Sequence, residues 1–161
     1  WGKNTRELVK KAYLRIGMLT KLKYVGVGIE DLLDVYILFI RSIVEYCAVV
    51  WHSRLTLDMI MSIETVQKTC LKIVLAENYV SYTAALEMCN LKTLWQRRED
   101  RCLAFAQKCL KNPQLSGLFP LNTNNDNNKH TSRESYEVNF ATTETYRWSA
   151  IPYLQRKLNA Q

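Results

Sequence analysis

Between positions 32 and 51 the chain runs LLDVYILFIRSIVEYCAVVW, an almost unbroken apolar stretch in which Asp34, Arg41 and Glu45 are the only charges. No other feature narrows the fold so far. The interruptions exclude a membrane span, which needs about 20 predominantly apolar residues. Val49 and Val50 are β-branched, so a strand over residues 46–51 is the competing reading. The continuous run is too long for one strand, however. Glu30, Asp34, Arg41, Glu45 and His52 share one narrow polar line, with Arg41 and Glu45 spaced i,i+4. A helix that is apolar on most of its circumference is buried on most of it. Residues 30–51 are therefore expected to form the central helix of an all-α domain, with Phe39, Ile43, Cys47 and Trp51 as its core stripe.

Helical periodicity extends to both sides. Over residues 4–23, Leu8, Val9, Ala12, Ile16 and Leu19 share one face, and Lys3, Arg6, Lys10, Arg15 and Lys21 are assigned to the opposite one. Gly26 and Gly28 supply the break. Thr56 can cap a helix over residues 57–75 whose core face is Ile60, Ile63, Val66, Cys70, Ile73 and Val74. Ser81 caps a short helix ending near Asn90. Thr93 and Gln96 have capping-box spacing and open a helix over residues 94–111 that Asn112-Pro113 stops. Its apolar face carries Trp95, Cys102, Phe105, Ala106 and Cys109, with Arg97, Arg101 and Lys108 opposite. Arg98 falls inside the apolar face and reads as a buried, paired arginine.

After Pro113 the pattern changes. Leu118-Phe-Pro-Leu121 reads as an extended anchor and residues 122–128 (NTNNDNN) as a solvated loop. Val138-Asn-Phe140 reads as a short extended piece, and residues 149–159 as a closing helix with Pro152 tolerated in its first turn. The expected architecture is an all-α bundle of about five helices over residues 1–112, followed by an irregular C-terminal extension over 113–161.

A net charge of +7 favours polyanionic partners, and its distribution says more than its size. Residues 1–24 hold seven basic side chains against one acidic. Residues 25–91 hold four against eight, and residues 92–111 hold six against two. Positive charge is thus gathered at two helices flanking an acidic body. Five cysteines, an odd number without CxxC spacing, read as reduced core thiols of an intracellular protein, cytoplasmic or nuclear. Neither His52 nor His130 pairs with a cysteine at zinc-ligand spacing.

Catalytic patterns are missing. The adjacent acids Glu30-Asp31 and Glu99-Asp100 fall inside expected helices, where neighbouring side chains point about 100° apart, and so cannot form a two-magnesium site. Gly26 and Gly28 are not followed by the Lys-Ser or Lys-Thr of a phosphate loop. A site built on His52, Glu45 and Arg41 is the remote enzymatic rival. The positive signal lies in the basic faces: Lys3, Arg6, Lys10, Arg15 and Lys21, then Arg97, Arg101 and Lys108, could follow a phosphodiester backbone, with Trp1, Tyr13 and Tyr24 as stacking surfaces.

The run Phe39 to Ser53, FIRSIVEYCAVVWHS, resembles the Y-x-x-[FL]-[IV]-R-[SP]-x-[LV]-E-Y-x-x-V-V-W signature of non-LTR, LINE-type and jockey-related retrotransposon reverse transcriptases. Further segments fit in order: Glu64-Thr-Val-Gln-Lys68, the stretch from Tyr82 to Leu94, Gln96-Arg-Arg-Glu99, Phe119-Pro-Leu121, Tyr136-Glu-Val-Asn-Phe140 and Ser149-Ala-Ile-Pro-Tyr-Leu-Gln-Arg156. The resemblance implies thumb helices and a C-terminal extension that grip the template–primer duplex of an RNA-directed DNA polymerase. It implies no cofactor for this stretch, because the catalytic aspartates and their magnesium belong to the palm upstream. The implied partners are RNA or an RNA–DNA hybrid and the palm itself, with no membrane. A protein-interaction module derived from such an element is the alternative.

Overall fold

The structure is a computed structural model that describes residues 1–122 and 135–160. The expected solvated loop at 122–128 lies, from residue 123 on, outside the described residues, as does His130. Among the described residues there is no strand, only one isolated antiparallel bridge between Leu121 and Tyr136, and the fold is all-α. No helix among them is long and apolar enough to cross a membrane.

The helices are α1 (Gly2–Tyr24), α2 (Ile29–Val35), α3 (Ser42–Val44), α4 (Ala48–Trp51), α5 (Leu57–Leu75), α6 (Tyr82–Met88), α7 (Leu94–Lys111), α8 (Glu144–Arg147) and α9 (Ala150–Asn159). Two compact units share them. The first is Trp1–Ala48 with Leu55–Arg98; the second is Val49–Arg54 with Glu99–Gln161. Asn112-Pro113, expected to divide the chain, follows the end of α7.

In the first unit α1 packs along α5 and against the segment from Tyr36 to Val44. Ala12, Ile16 and Leu19 of α1 are buried, as are Ile63, Val66, Cys70 and Val74 of α5. Ile60 and Ile73 are only half-buried, and Gln67, Leu71 and Leu75 complete the α5 core face. The Thr56 hydroxyl caps α5 by accepting from the Met59 amide, and Ser81 caps α6 through Ala84. The capping box at α7 is present in both directions: Gln96 N–H donates to Thr93 Oγ1 at 3.2 Å, and Thr93 N–H to Gln96 Oε1 at 3.3 Å.

The expected central helix differs from the observed one. It is broken: α2 runs into a π-helical stretch, Tyr36–Arg41, then α3, and ends at a turn over residues 45–47. Cys47 has φ 50°, a left-handed conformation that no α-helix continues. It is also not buried all round. Leu32, Tyr36, Ile40, Val44, Ala48 and Trp51 are buried, whereas Phe39 and Cys47 are exposed and Ile43 is half-buried. Of the expected stripe only Trp51 is core. The true stripe keeps a four-residue spacing through Tyr36, Ile40 and Val44 because the π stretch, bonded i→i+5, has more than four residues per turn, and the turn over residues 45–47 then brings Ala48 to the core. Straight α-helix, at 3.6 per turn, would carry such a stripe steadily round the axis.

The second unit is built on α7 and α9. Cys102, Ala106 and Cys109 pack with Phe119, Tyr153, Leu154 and Leu158, and Val49 joins them. Trp95 and Phe105, expected in the apolar face of α7, are each 41% exposed. Of the expected face, Cys102, Ala106 and Cys109 are the buried members. Phe119 is the anchor that Leu118-Phe-Pro-Leu121 promised, preceded by a short 3-10 turn, Ser116–Leu118. Residues 138–140 form no strand. They are held instead by Gln155, whose Oε1 accepts from Asn139 N–H at 3.0 Å while its Nε2 donates to Leu118 C=O at 2.8 Å.

Candidate nucleic-acid interface

The polar residues of the motifs are mostly consumed by the fold. In the first unit the Tyr36 hydroxyl donates to Gln67 Oε1, and Gln67 Nε2 donates to Tyr82 Oη at 2.8 Å and to Lys92 C=O at 3.1 Å. Tyr82 in turn donates to Glu64, whose Oε1 also receives Leu94 N–H at 3.1 Å. Burial first, and then the bond to Glu64, push the Tyr82 hydroxyl pKa far up, so it stays a donor. Glu64 and Gln67 come from one of the quoted motifs and Tyr82 from another, and Tyr36 lies just ahead of the run that begins at Phe39. They meet in one network.

Glu45 behaves similarly. Its buried carboxylate receives Arg97 Nε at 2.7 Å, with Arg41 4.0 Å away. Arg97, expected on the basic face with Arg101 and Lys108, is held in this ion pair, and a charge neutralised inside the protein releases few counterions from a duplex. Arg98 is fully buried, as its place in the apolar face required.

In the second unit Glu99 is the hub. His52 Nε2 lies 2.7 Å from Glu99 Oε1, the Tyr153 hydroxyl donates to the same oxygen, and Lys157 pairs with Oε2. Burial pushes the Glu99 pKa up, but the bonds from Lys157, Tyr153 and His52 outweigh it and hold the carboxyl below its ordinary value. Within the first unit Glu45 is paired with Arg97 and Arg41, and within the second His52 is paired with Glu99. Among the described residues no cluster of His, Cys, Asp and Glu stands ready to hold a metal ion.

The exposed basic residues remain. Lys3, Arg6, Lys10, Arg15 and Lys21 on α1 are all exposed, as are Arg101 and Lys108 on α7. At 100° per residue Lys3, Arg6, Lys10 and Lys21 fall within about 60° of arc, but Arg15 lies between a third and half of a turn away from them. It is therefore removed from the row. Tyr13, Gly17 and Tyr24 take its place on the same arc. Tyr24 is 93% exposed, and a Cβ on Gly17 would meet nothing within 4 Å. From Lys3 to Tyr24 the row spans about 32 Å at 1.5 Å per residue. Lys23 lies off this arc and donates its ammonium to Val74 C=O at 3.1 Å. The substitution of Tyr13 for Arg15 was legible in the wheel angles; the capture of Arg97 needed the tertiary structure.

Comparison with protein-family models, with curated proteins and with solved structures finds no match to this chain.

Proposed function

We propose that this chain grips the sugar–phosphate backbone of RNA or an RNA–DNA hybrid, as the thumb and C-terminal part of an RNA-directed DNA polymerase. The observation that carries the reading is the α1 row: Lys3, Arg6, Lys10 and Lys21 exposed on one arc, with Tyr13 and Tyr24 between and beyond them. Cations spaced along a rod neutralise successive phosphates, and interleaved tyrosines offer faces on which bases stack. Such contacts position a strand without reading it, and the chemistry would take place on carboxylate-bound magnesium in the palm. The order of the motifs supports that assignment.

A salt titration tests it. Binding of a fluorescent RNA–DNA hybrid, followed by anisotropy, should weaken when Lys3, Arg6, Lys10 and Lys21 are changed together to Gln. Each lost contact should lower the slope of log affinity against log salt by roughly 0.9. Equal slopes for the two proteins would mean that the row is merely solvated. A second reading would then lead, since Leu38, Phe39 and Tyr46 expose apolar surface suited to a protein partner.

A further inference from the structure

At the start of the basic row, α1 and the first turn of α5 enclose a cleft of about 530 Å³, within the range of small-ligand sites. Val9 and Met59 give it apolar walls. Gly2 lines it as well, and a Cβ there would come within 3.1 Å of Met59 Cε. Three polar features of the lining are unsatisfied within the chain. Thr5 is 98% buried, yet its Oγ1 has no hydrogen-bond partner. Arg6 and Lys10 line the α1 wall, and Arg6 uses only Nε, on Gly2 C=O. Asp58 lines the α5 wall, where the Thr56 cap serves the Met59 amide and leaves those of Leu57 and Asp58 without an intrahelical acceptor.

We infer that this cleft holds one unpaired guanine nucleotide, its phosphate on Arg6 and Lys10 and its Watson–Crick edge on Asp58. A simple anion would find the carboxylate repulsive, and a simple cation would find Arg6 and Lys10 so. A nucleotide separates the two demands, with negative charge at one end and a base at the other. Among the bases guanine alone presents two adjacent donors, N1–H and N2–H₂, that a carboxylate accepts bidentately, beside an O6 acceptor that a helix-start amide can serve. Adenine puts a lone pair at N1, facing the carboxylate. The ring itself would lie between Val9 and Met59, with Thr5 Oγ1 partnered by a ring or sugar atom. The inference deepens the proposed function, resting on it for the strand that delivers the nucleotide, but the cleft can be probed without any strand.

The probes are guanosine and adenosine 5′-monophosphate, titrated into the full chain while the amide NMR signals of Thr5, Val9 and Met59 are followed. Saturable shifts at these three residues are expected, with guanosine monophosphate about tenfold tighter, the value of a bidentate base contact. Asp58→Asn, at an exposed position, should abolish the preference for guanosine monophosphate, because an amide no longer accepts both guanine donors and offers adenine a donor in place of the repelling carboxylate. Val9→Trp, which fills the cleft with Asp58 intact, should remove both. Equal affinities in the native protein, discrimination that survives Asp58→Asn, or shifts that map elsewhere would overturn the inference. Hybrid binding on the same samples separates the two failures. Hybrid bound without nucleotide discrimination sinks the cleft alone, and discrimination without hybrid binding sinks the backbone grip alone.

Discussion

Replacing Gln67 by Leu should be among the most damaging single changes in the first unit, although it removes no charge and little volume. Gln67 is fully buried and accepts from Tyr36 while donating to Tyr82 and Lys92 C=O. The Tyr36 hydroxyl is fully buried too, so after the change it has neither partner nor water. One stranded hydroxyl costs about 1–3 kcal/mol, and the Lys92 carbonyl, nearer the surface, recovers part of its loss; the sum is about 2–4 kcal/mol. Tyr36→Phe strands Gln67 Oε1 in the same way. The double variant removes both ends of the buried bond, so its cost should fall short of the summed single costs by about 1–2 kcal/mol. Urea unfolding followed by far-UV circular dichroism measures all four proteins, and the m-value must stay constant for the comparison to hold. Additivity within about 0.5 kcal/mol would refute the argument that this network is a closed, desolvated unit.

Three further outcomes are expected. Gly17→Ala should stabilise the chain by about 1 kcal/mol in thermal unfolding, since the helix interior gains from it and the Cβ meets nothing. Cys47 should react with a thiol reagent in the native protein, while Cys70, Cys102 and Cys109 react only after unfolding; burial raises the Cys70 thiol to about 12. Glu99, whose folded pKa is depressed, contributes stability that is present above its unfolded value and lost as pH falls through the folded one. Urea midpoints from about pH 6 downward should therefore fall less steeply in Glu99→Gln than in the native chain, with Lys157, Tyr153 and His52 as the groups left facing the amide.

The helix ends were legible because they are set locally. Thr56, Ser81 and Thr93 cap where their side chains fall, whatever packs above them. The core stripe of the apolar segment was not legible, and the reason is specific. Phe39-Ile43-Cys47 and Tyr36-Ile40-Val44 have the same period and differ only in register. Hydrophobicity cannot choose between two apolar stripes; the bond from Tyr36 to Gln67 on α5 does. At the interface, exposure of the α1 cations followed from periodicity, whereas the cleft beside Arg6 depends on α5 arriving from fifty residues away, with Thr5 left unpartnered.

The π stretch Tyr36–Arg41 leaves a trace in how this chain tolerates changes of length. A π turn is in effect an α turn with one residue inserted and accommodated, its wall bulging outward to make room. Leu38 and Phe39 sit on that bulge, facing solvent. Removing Leu38 would let the segment rewind as ordinary α-helix, with each residue after it displaced by one place toward the N-terminus. Ile40 and Val44 would then reach the core from positions a regular helix also supplies, so a one-residue gap here should be survivable. The same gap in α5 would turn Gln67 and Cys70 about 100° off their partners and would not be. Related chains that differ by a single residue should therefore place the difference in this turn.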